Sequence, residues 1–168
     1  MNKILIAALI FSTAFFSSCE REKPDPGATA SVNMADEWWV KMYLNGVQVP
    51  LGTSSTSQFK HFYSYNTAEN DNHMWFDDRG TFGSSKRFKA MVVADYSALT
   101  FSGANLANLG QTGTTVTITN GKVLKGVGHS KTNEKTDSIF LNVEFSGDAG
   151  KIYTVTGHAR TFFIDDDY

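Results

Sequence analysis

The chain has 168 residues, a formal net charge of -2 at pH 7, 13% aromatic residues and one cysteine. Weak acidity excludes the basic face that a nucleic-acid partner would want, and one cysteine excludes an intrachain disulfide framework. About 150 residues remain after the N-terminal leader described next, enough for one ordinary domain that buries close to 70% of its unfolded surface.

The chain opens with Lys3 as its only early charge, followed by "ILIAALIFSTAFF" from Ile4 to Phe16 with no charge at all. A basic start, a short apolar run and small residues after it predict a secretory signal peptide over residues 1–18. The run is shorter than the roughly 20 residues that cross a bilayer. "FSSC", ending at Cys19, resembles the lipobox of bacterial lipoproteins, which implies that Cys19 becomes the lipidated mature N-terminus. More than one acyl chain anchors stably where a single chain does not. The expectation is an exported protein, lipid-anchored to the cell envelope at the outer membrane. Losing Lys3 with the leader takes the net charge from -2 to -3. Residues 19–33 then carry "EREKPDPGATASVN" after the cysteine. Pro24, Pro26, Gly27 and alternating charge predict a flexible tether.

Residues 34–168 read as a single β domain. "EWWVKMYL" sets Trp38, Val40, Met42 and Leu44 against Trp39, Lys41 and Tyr43. "RFKAMVVA" sets Phe88, Ala90 and Val92 against Lys89 and Met91, and "SIFLNVEF" groups Ile139, Leu141, Val143 and Phe145. This is the period-two signature of strands. Asn45-Gly46 and Asn120-Gly121 are each expected to be type I′ hairpin turns. "DDRGTFGSS" and "SGDAG" read as longer hairpin loops, and "ALTFSGANLANLGQTG" as a loop with a short turn of helix. Sequential hairpins predict an all-β fold, an antiparallel meander of eight or nine strands. It either closes into a barrel or folds over as a sandwich, because an open sheet leaves exposed edges.

"SVNMADEWWVKMYLNG", "YNTAENDNHMWFDD", "VTITNGKVLKGVG", "KTDSIFLNVEFS" and "YTVTGHARTFFIDDD" together resemble a family of Bacteroidetes envelope lipoproteins labelled "lipid-binding putative hydrolase". The resemblance runs from about Ser31 to Asp167. It implies a calycin-like, lipocalin-type β-barrel with an apolar cavity, and an apolar small molecule, such as a lipid, as ligand.

The residues display no catalytic motif for the hydrolase part of that label. G-x-S-x-G, H-E-x-x-H and a phosphate-binding loop are all absent. His61, His73, His129 and His158 form no close metal-ligand spacing, and the acidic clusters Asp77-Asp78 and Asp165–Asp167 lack an EF-hand pattern. Neither a metal nor another cofactor is expected. Two stripes are candidate ligand contacts. In "TVTGHAR" the polar stripe through Thr154, Thr156, His158 and Arg160 faces water or, if turned inward, receives a headgroup or carboxylate. The stripe Phe59, His61, Tyr63 and Tyr65 places a histidine among aromatics, as a satisfied core residue or as a ligand contact. Trp38 and Trp75 would line an apolar calyx, although the same aromatics would equally fill a small barrel. Three readings follow: a lipid binder, a hydrolase of lipid or ester substrates, and a non-catalytic module of a cell-surface complex.

Overall fold

The computed structural model describes residues 27–52 and 59–168. The leader, Cys19 and the tether as far as residue 26 lie outside the described residues. Nine strands follow in order: β1 (Asp36–Leu44), β2 (Val47–Val49), β3 (Lys60–Asn66), β4 (His73–Asp77), β5 (Lys89–Asp95), β6 (Thr100–Ala107), β7 (Thr115–His129), β8 (Lys135–Phe145) and β9 (Ile152–Ala159). All neighbours pair antiparallel, and β9 returns to β1 from Trp38↔Ala159 to Leu44↔Tyr153. Eight strands therefore close into a barrel. The extra strand β2 continues the β1 edge where β3 leaves off. Closure removes the free edges that an open sheet would leave, and the sandwich alternative falls away.

The alternating sequence explains which side chains point inward. In β8, Ile139, Leu141, Val143 and Phe145 are buried while Ser138, Phe140, Asn142 and Glu144 are not. In β1, Trp38, Val40 and Met42 enter the core. Asn45-Gly46 forms the expected tight turn, with φ of 51° and 79°. The loops over residues 78–88 and 146–150 also fall where the residues suggested.

Two expectations are corrected. Asn120-Gly121 is not a hairpin turn but a bulge inside the 15-residue strand β7, where the register to β8 shifts between Thr119 and Lys122. Asn120 alone takes a positive φ there, at 56°. Gly121 is needed for space, because a Cβ would strike the ring and carbonyl oxygen of Phe101. Positive φ at Asn also serves bulges, so the dipeptide is locally ambiguous. The segment read as a loop with a helical turn contains β6. Register shifts on both sides of Gly103, together with φ 51° at Asn105, break its alternation, which hid the strand.

Side chains fill the barrel. Phe62 stacks 5.5–5.6 Å from Phe76, Phe82 and Phe88, and Phe76 lies 4.2 Å from Phe101. The loop residue Phe82 plugs one end. Its amide and that of Phe88 donate to the buried Asp78 carboxylate at 2.8 and 2.9 Å. At the other end Met34 packs into the core and Ser31, assigned to the tether by the sequence, is fully buried. Packing thus begins before residue 34.

Candidate functional site

Outward-facing residues of four neighbouring strands form one row across the barrel wall. His61 on β3 is opposite Trp39 on β1, Trp39 is opposite His158 on β9, and His158 is opposite Ser138 on β8. The row follows from alternation, since the neighbours Phe62, Trp38, Ala159 and Ile139 all enter the core. Above it lie Tyr63, Glu37 and Arg160, and below it Lys41 and Thr156.

An aromatic cover sits on this row. Tyr168 packs 5.3 Å from Trp39, 5.8 Å from His158 and 4.3 Å from Phe59, and Phe59 is 5.2 Å from His158. The cover is strapped down by Arg160, whose Nε and Nη2 donate to the two Asp167 carboxylate oxygens at 2.7 and 2.6 Å. Asp166 accepts from Thr132 and Thr161 at 2.6–2.7 Å. Two clefts flank the cover and share Phe59. One, of about 400 Å³, is bordered by Trp39, His61, Lys60 and Tyr168. The other, of about 270 Å³, is bordered by Tyr43, Ser138 and His158.

Among the described residues, three buried side-chain nitrogens lack a hydrogen-bond partner: Trp39 Nε1, His61 Nδ1 and His158 Nε2. All belong to this row. Buried polar atoms are nearly always satisfied, and leaving one unpaired costs about 1–3 kcal/mol. His61 Nδ1 does have a charged neighbour, Glu37 Oε1 at 2.6 Å, and the same oxygen accepts from Tyr63 and Arg160 at 3.2 Å each. The nitrogens with neither a hydrogen bond nor an ion pair are therefore Trp39 Nε1 and His158 Nε2. Burial lowers the pKa of both His61 and His158, with Glu37 and Asp166 respectively pulling the other way. The row is therefore mainly neutral, with a donor at Trp39 and exchangeable donor or acceptor nitrogens on each side.

A larger groove of about 680 Å³ runs past Val93, Phe101, Lys122 and Phe140. None of the unpartnered nitrogens faces it, so the row is the better candidate although its clefts are smaller.

Of the residues singled out from sequence, His61, Tyr63, His158 and Arg160 come together here, on the outer wall and not in a lumen. Trp38 does not join them. It is 1% exposed, and its Nε1 donates to Ser64 Oγ at 2.7 Å. Trp75 faces outward beside Tyr65, with Lys89 Nζ 5.6 Å from its ring, away from the row. Phe59, on the second candidate stripe, also joins the site, whereas Trp39, Tyr168, Glu37 and Ser138 were not picked out as contacts. An unexplained tryptophan on the polar face of β1 was the one available signal.

Ser138 Oγ donates to Gly157 O at 2.7 Å, whereas an activated serine would donate to a base. Among the described residues no group of three or more His, Cys, Asp or Glu side chains could hold a metal ion.

The chain matches the family described as "Lipid-binding putative hydrolase" over residues 23–164. No curated protein matches it significantly.

Proposed function

Since the chain belongs to that lipid-binding family, we propose that it is an envelope lipoprotein, anchored through Cys19, that binds an apolar ligand with an oxygen-bearing head on the outer wall of its barrel. The observation that carries the reading is the row of unpartnered nitrogens beneath a cover of aromatic rings. A filled core leaves little room for a lipocalin-style ligand inside, whereas apolar clefts with a few polar groups are the usual form of small-ligand sites. In this reading Tyr168 swings aside, an acyl chain takes its place against Phe59 and Trp39, and a carboxylate or ester oxygen accepts from Trp39 Nε1. Arg160, already paired with Asp167 and Glu37, supplies positive charge at the rim.

Thermal melts of the purified protein with and without a long-chain fatty acid test the reading, because a ligand that binds only the folded state raises Tm by mass action. Extraction with organic solvent should also release lipid. An unchanged Tm together with a lipid-free extract refutes the binding. Turnover of an ester substrate that disappears in His158→Gln would instead support the hydrolase reading.

A further inference from the structure

Residues 162–164 are an unusual piece of surface. Phe162, Phe163 and Ile164 are 65%, 62% and 87% exposed. Phe162 takes φ 62°, a conformation costly for a bulky residue, with Arg160 5.0 Å from its ring centroid. Apolar side chains exposed this far are a liability unless something covers them.

Topology says where they sit. One end of the barrel gathers the start of β1, the end of β7, the start of β8 and the end of β9. The tail leaves β9 at that end, where Thr132 of the β7–β8 loop holds Asp166. The N-terminal segment arrives at the same end, where Lys125 Nζ donates to Asn33 O at 3.0 Å. The exposed Val32 and Val127 lie beside it, at 54% and 58%. From Cys19 to Gly27 the chain can reach at most about 26–29 Å. Membrane attachment through residues 1–19 would therefore tether the barrel by this end, within that reach of the lipid.

We propose that the 162–164 tip rests in the lipid surface, with Val32 and Val127 as flanking contacts. The proposal rests on the reading of Cys19 as a membrane anchor. Shallow insertion of aromatic and aliphatic side chains draws its strength from apolar burial. The same tail carries Tyr168 onto the Trp39–His158 row, so the lipid contact and the ligand site are six residues of chain apart or less. A ligand leaving the bilayer meets the site first at this end.

The test uses the lipidated full-length protein in phosphatidylcholine vesicles. With Cys19 acylated, Ile164→Cys provides a single free thiol for an environment-sensitive fluorophore, and Gly147→Cys provides one at the opposite end. The label at 164 should shift to the blue and be quenched at least about twofold by lipids carrying a shallow nitroxide, while the label at 147 stays unquenched. If the protein floats with the vesicles and neither label is quenched, the anchor stands and the tip proposal fails. Energy transfer between copies at 164 without lipid quenching assigns the tip to a second copy instead. Protein that does not float overturns the anchor, and the proposal with it.

Discussion

The Trp39–His158 pair is a local defect by the ordinary rules of satisfied polar atoms, and its cost is tolerable only if something is gained. Trp39→Phe keeps the ring under Tyr168 and deletes the unpartnered donor. It should leave stability within about 1 kcal/mol of the parent, because no bond is lost, yet weaken fatty-acid binding about tenfold or more, since a hydrogen bond to a charged acceptor contributes ~1.5–3 kcal/mol. Titration calorimetry and melts read the two effects separately. Equal binding by parent and variant would remove Trp39 from the site. The histidines make a pH forecast. Burial holds His158 and His61 below the usual histidine value near 6.5. A base with a depressed folded pKa binds fewer protons folded than unfolded, so its stability contribution is present above about pH 6.5 and is lost as pH falls. Asp36 and Asp78, raised by burial, act in the opposite sense at lower pH. Tm should therefore fall from pH 7 to 5.5, and His158→Gln should flatten the fall. A parent equally stable at both values contradicts this.

At the scale of elements, the C-terminal tail is held by side-chain contacts and not by strand pairing. Its Arg160–Asp167 pair is bidentate but partly exposed, and such pairs are worth about 1 kcal/mol or less. Asp167→Asn should barely move the melting temperature while making Tyr168 and the row beneath it more accessible, read as faster hydrogen exchange or stronger quenching of Trp39 fluorescence. A tail that stays closed would show that Thr132 and Asp166 suffice. Strand β7 carries a sharper constraint. Gly121→Val forces a Cβ into the ring and carbonyl of Phe101, and overpacking of this kind costs about 1–3 kcal/mol. The loss arises from lack of space and not from a turn, so Gly121→Ala should already be destabilising by denaturant titration.

For the whole molecule, stability resides in a filled cylinder. Phe62, fully buried among three other phenylalanines, should cost about 3–5 kcal/mol when replaced by alanine. The cavity so made is expected to be dry, like other apolar voids. If Phe62→Ala were neutral in urea titration, the barrel would be looser than its ring stacking implies. The filled interior also turns the search for a ligand outward, onto a wall that a calyx-type barrel would leave to solvent.

Alternation by itself determined which residues of β1, β5, β8 and β9 share a face, because one side chain in two on each side is a property of the strand and needs no partner. It also put His158 and Arg160 on one stripe, and His61 and Tyr63 on another. Tertiary structure alone decided that the two stripes are neighbours, since β1 pairs with β3 on one edge and with β9 on the other, a closure between positions more than a hundred residues apart. It decided that both stripes face outward, because the apolar Phe62, Trp38 and Val155 on the alternate positions pack into the interior. It also turned Asn120-Gly121 from a hairpin into a bulge, because the register of β7 against β8 outweighed the local preference of the dipeptide.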